Sequence, residues 1–203
     1  LITSTPITAA VEGNPYTYVA TASDEDPNDT VSFSAPTLPG WLTLSNNDGR
    51  SATLSGTPGN GDVGEHSVTL QLSDGSVTQS QSFTIEVAAN QPPVAVTDTV
   101  SLDEDTTQVL ALEDLLSNDS DPDGDALSLQ SISAVEHGAV SLGVSSVTYT
   151  PQADYFGADR FTYIVSDDNG NTDAGTVRLS IRNVNDAPVI TTDDLPDGLE
   201  DAF

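Results

Sequence analysis

An acidic turn and a proline-bearing junction each occur twice in this chain of 203 residues, at the same spacing. The turn reads DEDPND from Asp24 and DSDPDGD from Asp119, an interval of 95 residues. The junction prolines Pro93 and Pro188 are separated by the same 95 residues. A fixed interval of this length predicts a tandem array of similar domains.

The hydrophobic pattern predicts that both domains are built from β-strands. Polar and apolar residues alternate at 67–72 and 82–87 in the first repeat, and at 161–165 and 176–181 in the second. Alternation of period two, rich in Val, Thr, Ile and Phe, is typical of half-buried antiparallel strands. Only residues 112–116 favour a helix, of a single turn. We therefore expect an all-β protein made of two tandem Greek-key β-sandwiches of the cadherin or Ig type.

The repeats suggest where the domains begin and end. We predict a first domain at residues 1–90 and a second at 91–186, with short proline-bearing links. Residues 187–203 resemble the start of each repeat and predict a truncated third one. Leu at position 1 and the absence of Met predict a segment of a longer chain.

The composition excludes several classes of function. The chain has 32 acidic residues against four arginines and a net charge of −28, which argues against a nucleic-acid partner. It has no cysteine, and therefore neither disulfides nor thiolate metal sites. No apolar run reaches the roughly 18 residues that a membrane-spanning helix needs, so we expect no membrane insertion. We expect a monomer.

Acidic residues that are crowded on a turn repel one another unless a cation lies among them. Calcium takes six to eight oxygen ligands from carboxylates, amide side chains, carbonyls and water. Each repeat has an early Glu, an Asp-x-Asp turn, an Asp after a long strand, and an Asn or Asp in its linker. We therefore predict calcium-binding linkers with these candidate ligands: Glu12, Asp24, Asp26, Asp74 and Asn90 in the first repeat, and Glu104, Asp121, Asp123, Asp125, Asp167, Asn185 and Asp186 in the second.

Several longer motifs resemble known repeat families. Residues 38–42 (LPGWL) and 54–58 (LSGTP) are similar to dystroglycan-type cadherin-like domains. Residues 103–106 (DEDT) and 184–188 (VNDAP) are similar to bacterial cadherin or Ig-like tandem repeats. Such repeats occur in surface adhesins and large RTX-type secreted proteins, including those of biofilms. The resemblance implies that the candidate residues above bind Ca²⁺. One departure is Gln91-Pro92, which stands where the second junction has Asp186-Ala187 and predicts a weaker first junction.

The resemblance implies an extracellular calcium-binding extender, secreted or on a bacterial cell surface. Its junctions would be stiffened by Ca²⁺, so that neighbouring repeats project a distal adhesive domain. Two alternatives remain open. The segment could itself bind polysaccharide, a cell-surface ligand or its own copies, attached in some cases to a polysaccharide-degrading enzyme, or it could be an acidic spacer without metal.

Other functional motifs are weaker. The turn at Asp119 matches the opening of an EF-hand loop, but Gln130 stands where that loop needs a bidentate Glu, and no helices flank it. His66 and His137 have no second metal-ligating or catalytic partner nearby, so we predict that the chain is not an enzyme. Trp41 is expected to pack in the core.

Overall fold

The computed structural model describes residues 1–24, 31–47 and 49–188. Asp26, a predicted ligand, and most of the predicted third repeat lie outside these residues. The described chain is all-β, and it contains no helix with the length and apolarity needed to cross a membrane.

The first sandwich consists of a four-stranded and a three-stranded sheet. In the four-stranded sheet the order is β1-β7-β6-β3, with β1 parallel to β7 and the other pairs antiparallel. In the three-stranded sheet the order is β2-β5-β4, all antiparallel. The strands are β1 (Ala9–Val11), β2 (Tyr16–Thr21), β3 (Ser32–Thr37), β4 (Leu42–Asn46), β5 (Ser51–Gly56), β6 (Gly64–Ser73) and β7 (Thr78–Ala88), with a 3₁₀ helix at Asn60–Asp62.

The second sandwich repeats this topology strand for strand. Its sheets have the orders β10-β13-β14-β8 and β11-β12-β9, with β8 parallel to β14. Each strand thus takes the position of the one seven places earlier. The elements are β8 (Asp98–Asp103), β9 (Gln108–Ala111), α1 (Leu112–Leu115), β10 (Ser128–Ile132), β11 (Gly138–Leu142), β12 (Ser146–Pro151), β13 (Gly157–Ser166) and β14 (Thr172–Arg182).

Strand alternation builds the core of each sandwich. β2 buries Tyr16, Tyr18 and Ala20 and exposes the residues between them. Trp41 packs edge-on against Tyr16 with ring centroids 5.7 Å apart, as predicted for a core residue. In the second sandwich the inward residues of β12 to β14 are almost fully buried, among them Tyr149, Phe161, Tyr163 and Val177.

The chain divides into two compact units that do not coincide with the two repeats. The first unit contains Leu1–Val94 together with Ser120–Ser128 and Ser166–Asp173. The second contains Ala95–Asp119, Leu129–Val165 and the chain from Ala174 onward. The acidic turn at residues 119–125 and the β13–β14 hairpin are therefore mostly part of the first unit, together with the linker residue Asn90.

Candidate metal centre

The acidic turn of the first unit is organised around Asp121. Its Oδ1 accepts hydrogen bonds from the backbone N–H groups of Asp123 at 2.8 Å and Asp125 at 3.2 Å. Gly124 closes the turn with a φ of +82°, a conformation that glycine adopts without steric cost. Asp121 therefore shapes the turn with one oxygen, and the other oxygen is left for a different partner.

Asp167 follows β13 and is buried, with 4% of its surface exposed. Its Oδ1 accepts hydrogen bonds from the backbone N–H groups of Asn169 and Asn171, at 3.0 and 2.8 Å. Its Oδ2 accepts one from Asn90 Nδ2 at 2.8 Å. Burial raises the pKa of Asp167, but these hydrogen bonds together outweigh it and lower the pKa below the ordinary value. The buried carboxyl therefore stays ionised near neutral pH.

Asp121, Asp125 and Asp167 converge in the first unit. Each offers a carboxylate oxygen, and these oxygens lie within 4.8 Å of one another. Asp121 Oδ2 is buried and has no hydrogen-bond partner among the described residues. A buried carboxylate oxygen without a donor costs free energy, and three carboxylates this close repel one another. This donor set, which is all oxygen and includes one unsatisfied atom, fits a hard cation such as Ca²⁺.

The linker and the start of the first repeat contribute neighbouring oxygens. Asn90 donates its backbone N–H to Glu12 Oε2 at 3.4 Å. Gln91 donates to both oxygens of Asp123, from its backbone at 2.6 Å and from its side-chain amide at 3.3 Å. Gln91 thus stands where the second junction has an acid. It is a neutral residue that donates hydrogen bonds to both carboxylate oxygens of Asp123.

Asp74 lies at the opposite end of its sheet from Glu12. The register pairs Gly64 with Val87 at one end of β6 and Ser73 with Thr78 at the other. Glu12 donates its backbone N–H to the carbonyl of Ala88, beside the first end, whereas Asp74 follows Ser73. Ten residues of strand span about 30 Å. Glu12 and Asp74 therefore cannot share one ion.

Asp24 accompanies Asp74 at that opposite end. The two line a cavity of about 70 Å³ together with Leu1 and Val31. Asp74 Oδ1 also accepts the backbone N–H groups of Val77 and Ser76, both at 2.7 Å, and these bonds lower its pKa. Asp74 thus has a local role in a turn as well as a position from which it could ligate an ion.

A second acidic group lies in the second unit. Asp105, Asp154 and Asp186 have carboxylate oxygens within 4.8 Å of one another, and all three residues are exposed. Nearby in sequence, Glu104 is buried, and its Oε1 accepts Asn183 Nδ2 at 2.9 Å and the backbone N–H of Val184 at 2.6 Å. The predicted ligand Asn185 donates its side-chain amide to the Asp186 carbonyl at 3.1 Å.

Sequence reasoning missed two members of this second group, Asp105 and Asp154. Both have a φ of 58°, the left-handed region that side chains rarely adopt. The backbone N–H of Asp154 donates to Asp105 Oδ1 at 3.1 Å. Asp105 was visible in the DEDT motif, but nothing in the sequence around Asp154 singles it out.

Comparison with known families agrees with this architecture. Residues 1–88 match the family model described as "Putative Ig domain", and residues 90–180 match the one described as "Bacterial Ig domain". Each half therefore matches an Ig-like family and has the predicted β-sandwich fold. No curated protein sequence matches the chain.

Solved structures with a similar fold are distant. Endo-fucoidan hydrolase from glycoside hydrolase family 107 is 22% identical with a TM-score of 0.39, and the match covers 90% of this chain and 28% of that one. The protocadherin gammaB7 structure is 18% identical, with a TM-score of 0.37 and coverage of 90% and 50%. Human desmocollin-1 is 14% identical, with a TM-score of 0.35 and coverage of 92% and 41%. The chain spans less than a third of the length of the fucoidan hydrolases.

Proposed function

We propose that these tandem Ig-like domains are a calcium-binding extender segment of a large extracellular bacterial adhesin, secreted or on the cell surface. The observation that carries the proposal is the carboxylate group of Asp121, Asp125 and Asp167, in which Asp121 Oδ2 is buried and has no donor in the part of the chain that the structure describes. The chain would be monomeric and would have no catalytic role, and its partners would be the neighbouring repeats of the same protein. The whole protein would be an RTX-type adhesin that acts in biofilms.

Asp121, Asp125 and Asp167 would hold the ion, with Asn90 and Glu12 supplying the oxygens beside it. Asp123 would join them on losing its hydrogen bonds from Gln91. Bound calcium would supply the positive charge that this group lacks. Without a cation, the three carboxylates push apart the segments that carry them, namely the acidic turn and the hairpin after β13. With the charges compensated, these segments and the linker at Asn90 are held together. A stiff linker in every repeat would let the array project a distal binding domain.

The matching feature of the second unit is proposed as a further site, held by Asp105, Asp154 and Asp186 beside Glu104 and Asn185. Asp24 and Asp74, at the other end of the first sandwich, are proposed to serve a junction with a preceding repeat.

Calorimetric titration of the segment with CaCl₂, with MgCl₂ as the matched control, tests the proposal directly. Extracellular modules of this kind bind calcium with dissociation constants of about 0.1–1 mM. We expect binding in this range. When millimolar calcium replaces a chelator, we also expect a higher melting temperature and a narrower distribution of interatomic distances in small-angle scattering. If CaCl₂ gives no heat of binding, and if the melting temperature and the scattering curve are the same in calcium and in chelator, the chain is an acidic spacer without metal.

A further inference from the structure

Asn169 lies at the tip of the β13–β14 hairpin, and its side-chain amide has more acceptors than hydrogens. Nδ2 is 2.8 Å from Asp125 Oδ2, 3.2 Å from Asn90 Oδ1 and 3.3 Å from Asn14 Oδ1. An amide NH₂ has two hydrogens, so these three oxygens cannot all be satisfied at once. The reverse orientation of the amide would place its carbonyl oxygen against all three. The NH₂ group is therefore at the centre of an oxygen cluster.

The surrounding chain leaves space for this side chain. A Cβ atom on Gly13 would overlap the Asn169 amide, and Gly13 also has a φ of +80°. The three oxygens come from separate chain segments and are all of a type that ligates calcium. One of them belongs to Asp125, which is also a member of the carboxylate group whose Asp121 Oδ2 has no donor among the described residues. The amide thus contacts one carboxylate of that group directly, through Asp125 Oδ2.

We propose that the Asn169 amide takes the place of a cation in the metal-free chain and competes with calcium for the same oxygens. This inference rests on the proposed function, since it concerns the same site. A neutral NH₂ group compensates part of the negative potential there, and calcium binding displaces it into solvent. Asn169 then lowers calcium affinity, because its hydrogen bonds must be lost before the oxygens contract to calcium–oxygen distances.

Competition of this kind predicts an unusual result for Asn169→Ala. The substitution removes the hydrogen bonds of the metal-free chain but changes nothing that the calcium-bound chain uses. The metal-free protein is then less stable, calcium binds about tenfold more tightly, and the calcium-saturated proteins are equally stable. A tenfold change corresponds to the net contribution of one or two hydrogen bonds.

The experiment is calorimetric titration of wild type, Asn169→Ala and Asn47→Ala with CaCl₂, combined with thermal unfolding in chelator and in saturating calcium. Asn47 is the matched control, because its amide also contacts two side-chain oxygens, of Ser51 and Thr53. Asn47 lies beside Ser51, at the start of β5. Gly13, which contacts Asn169, lies near the opposite end of that strand, where Gly56 pairs with Tyr16. We expect Asn47→Ala to bind calcium as wild type does.

Two measurements separate the outcomes. Tighter binding by Asn169→Ala, with side-chain amide protons of Asn169 that exchange faster with water once wild type is saturated, supports the inference. Weaker binding by Asn169→Ala would mean that Asn169 is itself a ligand, and unchanged binding that its amide does not compete; either result overturns the inference and leaves the proposed function standing. Absence of calcium binding by wild type overturns the proposed function instead, and this inference with it.

Discussion

Replacing Asp121 by Asn should stabilise the metal-free protein and weaken its response to calcium. Asp121 Oδ1 accepts the two backbone hydrogen bonds of the turn, and an Asn carbonyl can accept them in its place. The new NH₂ group then takes the position of Oδ2, which has no donor among the described residues, on a side chain whose carboxylate is grouped with those of Asp125 and Asp167. The substitution is isosteric, so packing is retained while the charge is removed.

The magnitude follows from the separation of the carboxylates. Two unit charges 4.8 Å apart repel by about 0.9 kcal/mol in water and about 3.5 kcal/mol at an effective dielectric constant of 20. Asp121→Asn removes two such pairs. Taking the water-like value because Asp121 and Asp125 are partly exposed, we expect a gain of about 2 kcal/mol in the free energy of unfolding in chelator.

Calcium should reverse part of this gain, because loss of a carboxylate ligand weakens binding about tenfold or more. With a dissociation constant of about 0.1–1 mM, 5 mM calcium stabilises wild type by about 1–2 kcal/mol, and a tenfold weaker site gains about 1 kcal/mol or less. The assay is guanidinium unfolding with and without calcium, followed by circular dichroism. Asp168→Asn, at an exposed position next to Asp167, controls for the lower net charge and should change stability by less than about 0.5 kcal/mol. Our reasoning is refuted if Asp121→Asn lowers stability in chelator or behaves as Asp168→Asn does.

Three further predictions concern stability. Asp159 is buried and accepts four hydrogen bonds, one from a buried tyrosine, so Asp159→Asn should cost about 2–4 kcal/mol in guanidinium unfolding at pH 7. Burial raises the pKa of Asp159, but these hydrogen bonds lower it by more, so the net shift is downward. The contribution of Asp159 to folding stability is therefore lost as the pH falls, and the difference in stability between Asp159→Asn and wild type should disappear in acid. Burial, and then the charge of Asp119, raise the pKa of Asp98. The contribution of Asp98 to folding stability is therefore complete below its pKa in the unfolded chain, about 4, and is lost as the pH rises. In thermal unfolding, Asp98→Asn should be more stable than wild type at pH 7 and equal to it below about pH 4. Gly13→Ala should lower the melting temperature in chelator by several degrees, because its Cβ would overlap Asn169 and its φ is positive, and an unchanged value would show that the hairpin moves away freely.

Much of the fold follows from alternation in the sequence, because each strand has one face in a core and one in water. β6, β7, β13 and β14 all coincide with predicted alternating segments, and α1 with the predicted helical turn. The repeat interval also predicts that the two sandwiches have the same topology, as they do.

The arrangement of the site follows from the sequence only in part. The acidic turn, Asp167 and Asn90 were recognisable as oxygen-rich positions that recur. The separation of Asp74 from Glu12 was not, because it depends on the pairing register and direction of β6 and β7. The position of Asn169 depends on contacts with residues 79 and 155 positions away, and no local pattern encodes such contacts.

The two acidic groups differ in burial, and this difference decides in which of them the repulsion between carboxylates destabilises the fold more. Asp105, Asp154 and Asp186 are all exposed, so water and salt screen their repulsion. In the first group Asp167 is buried and one oxygen of Asp121 is without a donor among the described residues, so its repulsion is screened less. A cation there relieves a larger electrostatic cost and gains more from each carboxylate. If the two proposed sites hold calcium, we expect the group of Asp121, Asp125 and Asp167 to bind it more tightly than the group of Asp105, Asp154 and Asp186. This expectation opposes the weaker first junction predicted from Gln91, because affinity depends on the burial of the ligands as well as on their number.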